Sequence, residues 1–119
     1  SARYTKAECE FDRCGLSKEF VKGLKAPFVA ESKLRFALKL KDVMPIPLNK
    51  TQLVIGEITD IFCEQKAIKE DGYIDIETLN TVCVSGLDSY HVTNRLSRLS
   101  YAKPNVDPTK LSINGKNEV

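Results

Sequence analysis

The chain has 119 residues, a length that suits one domain with a single core. Eighteen basic residues stand against sixteen acidic ones along the whole sequence, a formal net charge of +2, which gives no electrostatic footprint for nucleic acid. No apolar run approaches the ~20 residues that span a bilayer, so no membrane partner is expected.

The N-terminal residues Ser1-Ala2-Arg3-Tyr4-Thr5-Lys6 lack the apolar stretch of a signal peptide, and the expected location is cytoplasmic. The first residue is not Met, so the chain reads as processed, trimmed or beginning in mid-protein. Residues 5–13 are polar and helix-compatible, and Gly15 stops them. Ser17 then offers an N-cap for a short helix over Lys18 to Lys22, closed by Gly23.

Pro27 marks a change of character. From Ser32 to Lys41 the chain alternates, with Leu34, Phe36, Leu38 and Leu40 on one side and mostly Arg and Lys on the other. This is the period of a half-buried strand. Pro45 and Pro47 are expected to end it, and Asn49-Lys50 to turn the chain. The run from Leu53 to Cys63 carries the strongest β signal, being rich in β-branched residues. Gly56 inside it suggests a bulge or a close approach of backbone. A short loop separates the two runs, which predicts that they pair as a hairpin.

Asp71-Gly72 signals a turn, Glu77 to Asn80 a short helical turn, and Thr81 to Ser85 another strand broken by Gly86. From Lys103 onward Pro104, Pro108, Gly115 and many polar residues predict a loose tail, or one that wraps a partner. The domain expectation is therefore 1–104 for the folded part and 105–119 for a polar tail. The class is mainly β with short flanking helices. Two or three good strands close a core poorly, so the segment is expected to complete a larger sheet or barrel.

Few residues announce chemistry. His91 is the only histidine, and it reads either as a proton-handling group or as a partly exposed ring beside Tyr90. Arg95 and Arg98, three apart, suit a phosphate or carboxylate held through bidentate hydrogen bonds, although a surface role is the commoner fate of such residues. Asp71, Asp75 and Glu77 do not follow the calcium-loop pattern and read as a solvated turn. Cys9, Cys14, Cys63 and Cys83 lack the close C-x2-C spacing of zinc sites and read as reduced, structural thiols. No metal ligand set and no catalytic triad is expected.

Three stretches together resemble a known family. They are Ser1-Ala2-Arg3-Tyr4 leading to Glu10-Phe11 and Gly15-Leu16; Leu53-Val54-Ile55-Gly56-Glu57-Ile58 leading to Asp71-Gly72-Tyr73-Ile74-Asp75; and Ser85-Gly86-Leu87-Asp88-Ser89-Tyr90-His91 followed by Arg98 to Pro104. Their order and spacing resemble the C-terminal half of flavin reductase-like proteins with an FMN-binding split barrel. The resemblance implies a partial split β-barrel, its C-terminal portion, usually paired as a homodimer with FMN near the interface. It also implies an oxidoreductase that passes electrons from NAD(P)H through bound FMN. No side chain need act as acid, base or nucleophile in such a hydride transfer, because the cofactor carries the chemistry.

By position in that pattern, Ser1, Ala2 and Arg3 fall near the FMN phosphate, and Tyr90 and His91 border the isoalloxazine or nicotinamide pocket. The family's N-terminal strands have no counterpart here. The alternative is therefore a non-catalytic binding or dimerisation module derived from the same fold.

Overall fold

The computed structural model describes residues 3–118. They form two units, 1–62 and 63–119. The described residues hold one α-helix, one short 3-10 turn and eight strands arranged as four two-stranded sheets. The expectation of a mainly β chain is met.

In the first unit, helix α1 (Glu10–Cys14) ends where Gly15 adopts the left-handed conformation, with φ 66°. Its N–H and that of Leu16 return to the carbonyls of Asp12 and Phe11. The helix expected next does not form. Strand β1 (Lys18–Glu19) stands there instead, paired antiparallel with β2 (Phe28–Val29). The five residues Lys18 to Lys22 are too few to nucleate a helix without a packed face. Ser17 is spent elsewhere as well: its N–H donates to the Glu31 carboxylate at 2.9 and 3.1 Å, and its carbonyl accepts from Ala30.

Strands β3 (Leu34–Ile46) and β4 (Thr51–Cys63) form the expected hairpin, each 13 residues long. The loop between them is held by Asn49, whose Oδ1 accepts from the Thr51 N–H and hydroxyl at 3.1 and 2.6 Å. Strand β3 runs through Pro45 rather than stopping before it. In a two-stranded ribbon every strand is an edge, so a missing N–H can face outward without breaking a ladder bond. Gly56 does mark a close approach, since a Cβ built there would sit 3.2 Å from the Leu38 Cβ. At the base of the hairpin Phe28 packs edge-on against Phe62 at 5.3 Å, and Arg35 lies over both rings while pairing with Glu19 at 2.6 Å. That joint ties β1 and β2 to the hairpin.

The second unit opens with the 3-10 turn Gln65–Ala67 and a bridge between Ile68 and Ile74 around the Asp71-Gly72 turn. Strands β5 (Val82–Ser85) and β6 (Ser89–Val92) form a short hairpin about Gly86. The tail is not loose. Strand β8 (Lys110–Leu111) pairs with β7 (Arg98–Leu99), and Leu111 bridges to Asn117.

Burial is sparse. Ala37, Ala67 and Leu79 are the buried apolar residues among those described, while Phe36, Leu38, Leu40, Val54 and Ile58 of the long hairpin are exposed. The accessible surface is 10242 Å². Two separate folded bodies of half this mass would expose only about 7,800 Å² between them. The excess, roughly 2,500 Å² on that scaling, reflects loose packing of the extended hairpins.

Candidate functional site

The β5–β6 hairpin carries two of the residues singled out by sequence. Its register sets Val82 opposite Val92, Cys83 opposite His91, Val84 opposite Tyr90 and Ser85 opposite Ser89. Alternation then gives the ribbon two unlike faces. Val82, Val84, Tyr90 and Val92 share the apolar one; Cys83, Ser85, Ser89 and His91 share the other. Both faces are exposed, and Tyr90 leaves 72% of its surface open. His91 Nε2 lies 2.8 Å from the Ser85 hydroxyl, which fixes the ring against the strand and leaves Nδ1 for other use. Arg3 is an exposed residue of the first unit, and Ser1 and Ala2 lie outside the described residues.

The four cysteines are free thiols, Cys9 and Cys63 half-buried, Cys14 and Cys83 exposed. Lys18 beside Cys9, helped by backbone N–H groups of Asp12 and Phe11, draws that thiol below its ordinary pKa. No cluster of three or more metal-ligating side chains occurs among the described residues. No helix among them is long and apolar enough to cross a membrane.

Asp75, expected on a solvated turn, is buried, with 6% of its surface exposed. Its Oδ1 accepts from Arg95 at 2.5 Å, and its Oδ2 accepts from the Thr78 hydroxyl at 2.7 Å with Lys69 Nζ at 3.4 Å. The Thr78 hydroxyl bond, and behind it the Arg95 guanidinium, hold the Asp75 carboxyl well below the usual carboxylate range. Arg95 also reaches Glu77 at 2.9 Å. Arg98 donates to Asp71 at 2.5 Å and to the Ile113 carbonyl at 2.6 Å, and its guanidinium stacks 4.2 Å from the Tyr73 ring centre.

The two arginines are thus occupied by carboxylates of their own chain. A cavity of about 520 Å³ lies beside them, lined by Arg95, Ser97, Arg98, Lys110, Ser112 and Glu118 among others. Its cations are largely neutralised by the acidic partners just described, so the cluster braces the unit and is a poor phosphate cradle. The sequence signal was present only in part: the i, i+3 spacing of Asp75 and Thr78 was visible, but Arg95 lies 20 residues away.

No protein-family model matches the chain, and no curated protein is similar enough to count as a match. Two solved structures do match. One is a protein from Shewanella frigidimarina assigned as a flavin reductase with a split barrel domain, 44% identical, with a TM-score of 0.81 over 86% of this chain and 52% of that one. The other is the flavoredoxin of Desulfovibrio vulgaris, 26% identical, with a TM-score of 0.61 over 84% of this chain and 50% of that one.

This chain has the flavin reductase-like split-barrel fold, and its sequence resembles that family. It spans about half the length of the two solved proteins.

Proposed function

We propose that this chain forms part of an FMN site in an oxidoreductase of the flavin reductase type, reduced by NAD(P)H and working in the cytoplasm as a homodimer. The observation that supports this reading most is the match to the Shewanella protein, 44% identical with a TM-score of 0.81 over 86% of the chain. At that identity a shared backbone usually comes with a shared kind of ligand, although fold by itself does not carry function.

In this reading Arg3, with Ser1 and Ala2, lies toward the FMN phosphate. Tyr90 and His91 border the isoalloxazine or the nicotinamide. Bound FMN would supply the hydride and electron chemistry, and the chain's residues would bind and orient it. Tyr90 is exposed enough to offer its ring for stacking. His91, held through Nε2 by Ser85, would meet a bound molecule through Nδ1.

A visible spectrum of the purified chain with added FMN tests the reading. Stoichiometric, protein-shifted flavin bands and NAD(P)H oxidation are expected from the complete assembly. A second reading, a non-catalytic binding or dimerisation module, draws on the half-length match and the uncovered hairpin. A stable oligomer without flavin uptake at any ratio would favour it.

A further inference from the structure

Asn114-Gly115 is the only place in the chain where an asparagine precedes a glycine. The chemistry of that pair is set by a missing side chain. The backbone nitrogen after an asparagine can attack the asparagine's own amide carbon, and a side chain on the following residue shields that nitrogen. Glycine leaves it open to close approach. Asn105 and Asn117, also in the tail, are followed by Val106 and Glu118, whose side chains obstruct the same attack.

The pair sits in the turn that reverses the tail, with Asn114 half-buried. The Gly115 N–H donates to the Ser112 carbonyl at 3.0 Å, and the Ser112 N–H donates to the Lys116 carbonyl at 2.7 Å. The Gly115 nitrogen is thus engaged while the turn is closed, and attack waits for local opening. Two contacts oppose that opening. Arg98 holds the Ser112 and Ile113 carbonyls at 3.4 and 2.6 Å with one nitrogen and Asp71 at 2.5 Å with another. Lys116 pairs with Glu70 at 2.7 Å. The closed turn has no slack, because Gly115 lies at φ 81° and even a Cβ there would overlap the Asp71 carboxylate.

We propose that Asn114 is a site of spontaneous deamidation and isomerisation whose rate is set by the Arg98 clamp. The Gly115 nitrogen gives up its proton to solvent base and forms a bond to the Asn114 side-chain carbonyl carbon. The bond from that carbon to the amide nitrogen breaks, and ammonia leaves. The product is a cyclic succinimide. Water then opens the ring at either carbonyl. One opening gives aspartate on the original backbone; the other gives isoaspartate, with the main chain running through the side-chain carbon. Isoaspartate lengthens the main chain by a methylene where Gly115 abuts Asp71, and it places a second negative charge near that carboxylate. Both effects displace Asp71 from Arg98. The clamp therefore slows the reaction, and the reaction loosens the clamp. The inference concerns the tail alone and does not depend on flavin uptake.

The test ages the folded 119-residue chain in warm, mildly alkaline buffer and follows its tryptic peptides by mass spectrometry, with isoaspartyl methyltransferase labelling to find isoaspartate. Trypsin leaves Asn114 in the peptide from Leu111 to Lys116, apart from Asn105 and Asn117. Conversion is expected first at Asn114, and the converted fraction should lose hydrogen-exchange protection across residues 110–118. Arg98→Lys should speed conversion by about tenfold or more, the scale of one charge-assisted hydrogen bond lost from the closed turn. Asn114→Gln keeps an amide but cyclises slowly, so its aged tail should stay as protected as a fresh one. Conversion at Asn114 no faster than at Asn105 or Asn117 overturns the site. Equal rates in Arg98→Lys and the unaltered chain, or a tail still protected once Asn114 has become isoaspartate, overturn its coupling to the clamp.

Discussion

At the scale of single residues, Asp75 is a buried carboxylate, with 6% of its surface exposed. A buried carboxylate is tolerated there because Thr78, Arg95 and Lys69 meet it together. Its folded pKa is depressed, so its stabilising contribution is complete above the ordinary carboxylate pKa of about 3.9 and is lost as pH falls through the lower folded value. Asp75→Asn should destabilise by about 1–3 kcal/mol at neutral pH. The gap from wild type should shrink in acid, as urea melts followed by circular dichroism at a series of pH values would register; a gap independent of pH would contradict this account. Gly115 is a second such point. It sits at φ 81°, and a Cβ there would overlap the Asp71 carboxylate that holds Arg98. Gly115→Ala should cost about 1–3 kcal/mol through backbone strain and the displaced ion pair.

At the scale of elements, the long hairpin and the folded-back tail behave differently. The hairpin is set by local pattern, and its tightest point is Gly56 against Leu38. Gly56→Val should force the strands apart or Leu38 off its rotamer, at about 1–3 kcal/mol, with faster amide exchange along β4 as the readout. One guanidinium reinforces the strand pairing of the tail. Arg98 donates to the Ser112 and Ile113 carbonyls with one nitrogen and to Asp71 with another. Lysine keeps the charge but not the planar fork. Arg98→Lys should therefore raise protease cutting within residues 110–118 while leaving the β5–β6 hairpin protected. Equal cutting of both proteins would show that strand pairing alone secures the tail.

At the scale of the whole molecule, the decisive quantity is uncovered apolar surface. Three buried apolar residues among those described make a small core. The isolated chain should bind an apolar dye such as ANS strongly and associate with rising concentration. Weak dye binding by a monodisperse, isolated chain would mean that the exposed rows are covered in some other way.

The sequence by itself determined the elements whose information is local: the stop at Gly15, the paired runs around Leu38 and Ile58, the close approach at Gly56 and the turns at Asn49 and Asp71-Gly72. Period-two alternation and turn chemistry act over a few residues, so they can be read without the fold. The motif strings around Leu53–Ile58 and Ser85–His91 likewise resemble the split-barrel class at the level of sequence. Only the tertiary structure decided that Lys18–Glu19 is a strand, because its partner Phe28–Val29 outweighs a weak helix signal too short to nucleate. It alone showed that the tail folds back and that Asp75 is buried, since each depends on a partner 14 to 20 residues away. The cost of burying a charge is met by groups that come together only when the chain folds, and no local pattern records which groups those will be.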